Sequence, residues 1–445
     1  MNYTIDAREN IIPLEQMDLK QVRALWKECF QDTEAYMDFY YSWKTKDNVI
    51  FGLYDEKRLI SMLHLNPYQL SINGAKANSY YIVGVATDEA YRKRGLMRKL
   101  LSAAMRQMYA EQVPFTYLMP AKEAIYLPFD FRIVTVQKRM SIPLHEVRGR
   151  YEEPEVVAAS VKLRTAAADM EPEVVSDIWS GDTKANRKLQ GKKSESVDSA
   201  EAHHGNQPQI KAFLVDSRQI TQLEELSQYA NHKLARENEI YTVRSSAYYE
   251  RMIAELKVSY GGILAIEEGG EITGYSAFVL EDGKLEVVEF LCEDRVRDEL
   301  LQQMYSEVME RLTKQKIAVN SEATPSQAPP IMARIIHAKQ FFQELRATEQ
   351  TTITIRVLDP LIVENNAIFT IDCNEEVCSV AKAQVDAYNE LGIDLVCNIA
   401  DLTRLFFGQM SDAELMCLIP EQKEEVKEKL KKLNYYCNIH INEIV

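Results

Sequence analysis

The stretch from Tyr80 to Phe131, YYIVGVATDEAYRKRGLMRKLLSAAMRQMYAEQVPFTYLMPAKEAIYLPFDF, leaves few choices of fold, because strand, turn, helix, strand and helical turn follow one another without a spare linker. Tyr80 to Thr87 is rich in β-branched and aromatic residues, as a strand requires. Leu96, Met97, Leu100, Leu101, Ala104, Met105 and Met108 recur at helical spacing. Phe115 to Met119 reads as a second strand, and the helical crossover implies that it pairs parallel to the first. Between strand and helix lies Tyr91-Arg92-Lys93-Arg94-Gly95. A turn that opens a helix presents unpaired backbone amides at the positive end of the helix dipole, where a pyrophosphate can sit. Gly95 allows close backbone approach. Arg92, Lys93 and Arg94 add charge, although one glycine and a basic run also suit a solvated surface turn.

The order of these parts resembles the GCN5-related N-acetyltransferase (GNAT) superfamily, in which Arg/Gln-x-x-Gly-x-Gly/Ala cradles the pyrophosphate of acetyl-CoA. Arg92-Lys93-Arg94-Gly95-Leu96-Met97 meets the first and fourth positions, while Met97 stands where a small residue is usual. With Met119-Pro120-Ala121 and Ala124-Ile125-Tyr126 the chain resembles the enhanced intracellular survival (Eis) branch of that superfamily. The resemblance implies acetyl-CoA as cosubstrate without a metal, and pyrophosphate at Arg92, Lys93, Arg94, Gly95, Leu96 and Met97. It also implies that the backbone of Val85, Ala86 and Thr87 lies along the pantetheine arm, and that Tyr126 is the general acid. A lone Tyr is more often simply packed, with its hydroxyl on a backbone partner. A phenol with a pKa near 10 nevertheless stays protonated at neutral pH and can protonate a departing thiolate. Asp130 occupies a place where relatives more often carry Gly.

At 445 residues the chain is too long for one ordinary core. A formal net charge of -15 argues against a dedicated nucleic-acid binder. The opening MNYTIDARENIIPLEQ has no apolar leader and no apolar run reaches membrane-spanning length, so a cytoplasmic protein without a membrane span is expected. Seven cysteines without a Cys-x-x-Cys pair are expected to be reduced and mostly buried. Cys437 and His440 have ligand-like spacing, but without a second close pair they read as core or surface residues.

Ahead of the central stretch, a short strand is expected near Met1 to Ile5 or Ile11 to Pro13, then helices over Lys20 to Phe30 and Thr33 to Trp43. Strands Val49 to Tyr54, Leu59 to Leu70 and Lys76 to Thr87 form a meander turned at Asn73-Gly74. Trp26, Phe30, Tyr36, Phe39, Tyr40 and Trp43 make the helices aromatic, which core packing explains for the most part. In the Eis family the corresponding helices line the acceptor pocket, so Asp32, Glu34 and Asp38 are the acidic candidates for an alkyl ammonium group. Charges on a helix are otherwise its solvated face.

Ile133 to Ile142 is expected to complete the first sheet. Residues 180–209 hold no aromatic side chain and read as a mobile insertion, with His203-His204 solvated within it. Helices over Leu223 to Leu234 and Ser246 to Leu256, then strands Ile263 to Glu268, Ile272 to Leu280 and Lys284 to Leu291, repeat the broad pattern of the first domain. The helix from Arg295 to Leu312 follows Cys292-Glu293-Asp294-Arg295 without a glycine, and those acids oppose a pyrophosphate. Past Pro325, Pro329 and Pro330, a helix over Ile331 to Leu345, strands Thr351 to Val357 and Ile368 to Asp372, and helices Ile399 to Phe407 and Asp412 to Leu418 resemble a sterol carrier protein-like fold. The alternating end Ile439-His440-Ile441-Asn442-Glu443-Ile444-Val445 is expected to be tied down. In Eis enzymes the terminal carboxylate acts on the acceptor amine. That makes the Val445 carboxylate a catalytic candidate, although Val445 replaces the usual aromatic residue.

The expectation is therefore an α/β (α+β) chain with tandem GNAT-like domains, 1–150 catalytic and 151–328 degenerate, followed by a sterol carrier protein-like domain over 329–445. Its expected function is acetyl-CoA-dependent N-acetyl transfer to a primary amine of an aminoglycoside, polyamine or lysine, with a homo-oligomer left open. The alternative is a non-catalytic module that binds or senses acyl-CoA or lipid.

Overall fold

The computed structural model describes residues 11–13, 18–152, 210–317, 319–320, 322–384, 392–419 and 424–443. The expected insertion over 180–209, the Met1 to Ile5 alternative for the first strand, and Val445 lie outside the described residues.

The first third contains β1 (Ile11–Pro13), α1 (Leu19–Cys29), α2 (Glu34–Trp43), β2 (Val49–Asp55), β3 (Arg58–Ile72), β4 (Ala75–Thr87), α3 (Leu96–Ala110), β5 (Phe115–Leu118), α4 (Glu123–Tyr126) and β6 (Arg132–Val136). The helices start where capping side chains allow. Asp18 accepts from the Lys20 amide at 2.9 Å, and Thr33 from the Tyr36 amide at 3.2 Å. Asn73 and Gly74 both take positive φ, 49° and 83°, as the tight turn between β3 and β4 demands.

The middle holds β7 (Met140–Pro143), α5 (Leu144–Glu152), β8 (Ile210–Leu214), α6 (Ile220–Glu237), β9 (Ile240–Thr242), α7 (Ser246–Val258), β10 (Gly262–Glu268), β11 (Glu271–Glu281), β12 (Lys284–Cys292) and α8 (Arg297–Gln315). Then come β13 (Pro330–Ile335), α9 (Ala338–Gln343), β14 (Thr351–Leu358), β15 (Ala367–Cys373), β16 (Cys378–Ala383), β17 (Leu395–Asn398), α10 (Ile399–Phe406), α11 (Asp412–Leu418), α12 (Glu424–Lys431) and β18 (Ile439–His440).

These strands form three sheets in an α+β architecture. The mixed first sheet runs β1-β2-β3-β4-β5-β13-β6, with β9 on β3 and β18 on β9. The second, β7-β12-β11-β10-β8, is antiparallel throughout. The C-terminal sheet runs β16-β15-β14-β17, with α9 and α10 packed on the core it shares with the first sheet.

Three expectations need correction. Ile133 to Ile142 does not complete the first sheet as one strand: β6 stays there, while Met140–Pro143 crosses to pair with β12. Ile331 to Leu345 is not one helix, because Pro330–Ile335 is a strand inserted between β5 and β6. Ile331, Ala333 and Ile335 pack into the core on one face, Met332 into that on the other. A strand buried on both sides has no period-2 alternation to betray it. Nor are all cysteines reduced and mostly buried. The β15–β16 register sets Cys373 opposite Cys378 and they form a disulfide, while Cys417 and Cys437 are exposed.

Candidate active site

Strands β4 and β5 run parallel yet share a single register pair, Tyr81 with Tyr117. Past that pair β4 continues to Thr87 while β5 ends at Leu118, so the strands part and, among the described residues, one side of Val85, Ala86 and Thr87 is left without a strand neighbour. Toward β3 the ladder slips between Val83 and Ala86, so that Gly84 and Val85 together oppose Leu63. Such a bulge turns backbone groups out of the ladder. Gly84 takes φ 59°, and a Cβ there would stand 2.5 Å from the Trp26 ring and 3.3 Å from that of His64. Sequence reasoning named the three residues after Gly84 and passed over Gly84 itself; its signal was a glycine inside a strand pattern.

The turn after β4 is pinned to it by Arg92, which donates to the Thr87 carbonyl at 3.1 Å. Arg94 donates to Ala90 O at 2.9 Å and stacks over the Tyr91 ring, and Lys93 takes φ 64°. All three cations are exposed. Gly95, at φ 78°, is the N-cap of α3 and offers no side chain to the first-turn amides. The bond closing the first turn is Lys99 N–H to Gly95 O, 3.2 Å, so the amides of Leu96, Met97 and Arg98 precede any intrahelical acceptor. Leu96 is buried and Met97 half-buried against the same apolar cluster. That cluster also holds Val85, Leu118 and Tyr126. The structure thus brings the strand opening, the start of α3 and the candidate acid into one locality.

Tyr126 closes α4, is 8% exposed and meets Phe131 edge-on with ring centroids 6.0 Å apart. Burial pushes its phenol up to about 12. Asp130 follows at φ 65°. That left-handed backbone favours glycine, and Asp tolerates it. Asp130 Oδ2 lies 3.9 Å from the buried Arg334 guanidinium, which pairs with Asp359 at 2.6 Å.

On the other face of the sheet a cleft of about 390 Å³ opens between the α1–α2 connection and the second sheet. Asp32, Tyr36, Arg139, Glu255, Glu281 and Glu286 line it. Asp32 accepts from Trp26 Nε1 at 2.7 Å, and the Trp26 ring abuts Gly84, so one side chain separates the cleft from the strand bulge. Glu34 and Asp38 instead pair with Arg23 on a solvated face, and Glu34 also with Lys27. Glu255, not anticipated from sequence, pairs with Lys44 at 3.2 Å in a buried setting that raises the pKa of its carboxyl.

The final segment is tied down as far as Glu443, while Ile444 and Val445 lie outside the described residues. Ile439 and His440 pair parallel with Ile240 and Tyr241, and residues 439–443 are all buried. His440 faces Glu289 at 2.9 Å. Among the described residues there is no cluster of three or more His, Cys, Asp or Glu arranged to hold a metal ion, and no helix is long and apolar enough to cross a membrane.

Residues 10–134 match the family model of the acetyltransferase (GNAT) domain, which spans the strand opening, the Gly95 turn and Tyr126. The chain has a GNAT-superfamily acetyltransferase fold. Its class is that of the GNAT-type acyltransferases. Residues 338–418 match the sterol carrier protein domain, a separate α+β region. No curated protein matches the chain. Among solved structures, a conserved protein from Enterococcus faecalis described as a probable N-acyltransferase is 13% identical, with TM-score 0.68 over 98% of this chain and 100% of that one. A GCN5-related N-acetyltransferase from Anabaena variabilis is 12% identical, with TM-score 0.64 over 98% and 100%. Eis1 from Mycobacterium abscessus is 10% identical, with TM-score 0.59 over the same shares. At these identities the likeness, which extends over nearly the whole chain, is one of fold alone.

Proposed function

We propose that this protein transfers the acetyl group of acetyl-CoA directly to a primary amine, in the manner of the Eis branch. The observation that carries the proposal is the parting of β4 from β5 beyond Tyr81 and Tyr117, immediately ahead of the uncapped α3 N-terminus at Gly95. The amides of residues 96–98 would receive the pyrophosphate, with Arg92, Lys93 and Arg94 adding charge around it. The pantetheine arm would run along Val85, Ala86 and Thr87. The thioester carbon–sulfur bond breaks as the amine nitrogen bonds to the acetyl carbon. A backbone amide near Val85 polarises the carbonyl, and Tyr126 protonates the departing thiolate. The ammonium first loses a proton to water or to the Val445 carboxylate. Among the residues around the cleft, Asp32, Glu255, Glu281 and Glu286 outnumber Arg139 and Lys284, which favours a cationic acceptor.

On this reading the middle of the chain, 151–328, is a second GNAT-like unit without a cofactor, flanked by the catalytic 1–150 and the sterol carrier protein-like 329–445. Two features support it: β12 pairs only antiparallel with its neighbours, and α8 has Val296 rather than glycine as its N-cap and carries Asp298 and Glu299 in its first turn. The reading also makes the protein cytoplasmic. Its test is thiol release from acetyl-CoA with an aminoglycoside, a polyamine and a lysine peptide. Release with at least one is expected. Tight acetyl-CoA binding without turnover on any amine would instead favour an acyl-CoA-sensing module.

A further inference from the structure

A buried ion pair outside the residues that match the acetyltransferase domain reaches back to the turn that carries Tyr126, and acetyl transfer as described above assigns it no part. Met332 and Ile336 pack into the same apolar cluster as Tyr126 and Phe129, and Arg334, midway between them, has a fully buried side chain. A cation among apolar neighbours is costly to bury unless its charge and its donors are satisfied. Here three directions satisfy it: Nη2 donates to Asp359 Oδ1 at 2.6 Å, Nη1 to the Ile335 carbonyl at 2.9 Å, and Nε to the Phe129 carbonyl at 3.0 Å. Asp359 is itself pinned. Its Oδ1 accepts from the Leu361 and Ile362 amides, both at 2.9 Å, and its Oδ2 from Asn365 Nδ2 at 2.9 Å.

The contact with Phe129 is the one that bears on the site. Phe129 follows Tyr126 in a turn closed by the Asp130 amide on the Leu127 carbonyl at 3.1 Å. The Arg98 guanidinium lies over the Phe129 ring, 4.8 Å from its centroid, and Arg98 belongs to the first turn of α3. Phe129 is thus joined on one side to the proposed pyrophosphate turn and on the other to Arg334. Buried ion pairs contribute little net stability compared with apolar packing, and their best-attested use is to fix a register. A planar guanidinium, with its donors in a rigid fork, does this where a flexible ammonium cannot.

We propose that Arg334 is a positioning residue for Tyr126: anchored on Asp359, it grips the Phe129 carbonyl and so keeps the phenol in the cluster that Tyr126 shares with Val85 and Leu118. The proposal rests on Tyr126 being the general acid of acyl transfer. Asp359 lies within the residues that match the sterol carrier protein domain, so part of that domain's work is to hold the acid of the first. Arg334 acts through Tyr126, and its loss spares the cofactor turn.

The test compares wild type, Arg334→Lys, Tyr126→Phe and the double variant. Hydrogen exchange of the turn over residues 122–131, measured without substrate, reads the grip alone: it should quicken in Arg334→Lys while α3 exchanges as before. In steady-state kinetics Arg334→Lys should lower kcat about 100-fold, the effect of displacing a positioned group by about 1 Å, with acetyl-CoA affinity unchanged. In the Tyr126→Phe background the same substitution should cost kcat nothing further, because no donor is left to misplace. A residue that only stabilises the fold would lower kcat by the same factor in both backgrounds. If Arg334→Lys does not fold, Asp359→Asn weakens the same anchor while its side-chain oxygen still accepts from the Leu361 and Ile362 amides, and it is read in the same way. Unchanged exchange of the turn, an unchanged kcat, or equal losses with and without the Tyr126 hydroxyl would overturn the positioning role. A wild type inactive on every amine would overturn the acyl-transfer reading, and the positioning role with it, even where exchange differs.

Discussion

Tyr81 and Tyr117 sit opposite each other with ring centroids 5.4 Å apart, at the only register position that β4 and β5 share. Both rings are buried in the core that also takes in the third sheet. Beyond this pair β4 runs on to Thr87 while β5 ends at Leu118, so the two strands part. Splayed strands expose backbone groups that must find partners. A pantetheine arm with its two amides is one way to supply them.

Tyr126→Phe keeps the ring that packs on Phe131 and removes the proton donor. With the phenol pushed up to about 12, Tyr126 is protonated throughout the neutral range and gives no ionisation limb there. kcat should fall by about 10²- to 10⁴-fold, the usual range for a general acid, with acetyl-CoA affinity unchanged. An intact kcat in a destabilised protein would reduce Tyr126 to packing.

Gly84→Ala should destabilise by about 2 to 4 kcal/mol, combining a left-handed backbone for a residue with a Cβ and overpacking against Trp26. Urea unfolding followed by tryptophan fluorescence reads this directly. A loss below about 0.5 kcal/mol would mean that β4 can straighten and that the bulge is not enforced.

The elements of the first domain were legible because each carries its own signal: the helical period over Leu96 to Met108, the Asn73-Gly74 turn, and Pro128 ending the turn at Tyr126. What was not legible comes from long-range placement. Nothing local in Ile331 to Ile336 distinguishes a strand between two cores from a buried helix. Glu255 looked like one more charge on a helix until the fold buried it beside Lys44. Glu289 did leave a trace, as the lone acid inside Val287-Val288-Glu289-Phe290-Leu291, but its partner His440 lies 151 residues away.

His64 predicts a pH dependence of stability. Its Nδ1 lies 3.0 Å from the Tyr40 hydroxyl, and burial pushes its pKa down to about 3. Between that value and the ~6.5 of an unfolded-chain imidazole, the unfolded state binds a proton that the folded state does not. Stability is therefore full above about pH 6.5 and is lost as the pH falls, with a slope approaching ~1.4 kcal/mol per pH unit for this group. His440, also lowered by burial, works in the same direction. His64→Asn should flatten the decline in urea midpoint between pH 7.5 and 5. An unchanged decline would assign it to other groups.

The central claim is that one acetyl-CoA binds per chain, at the opening of β4 from β5 and the start of α3. Titration calorimetry on wild type, Gly95→Asn and Gly95→Glu tests it most directly. Asn tolerates the left-handed backbone that Gly95 adopts, so the first variant controls for folding. Glu adds bulk and negative charge where the pyrophosphate would lie. One equivalent bound by wild type, retained by Gly95→Asn and abolished in Gly95→Glu, is the predicted result. Two equivalent sites per chain, or undiminished binding by a folded Gly95→Glu variant, would contradict the account.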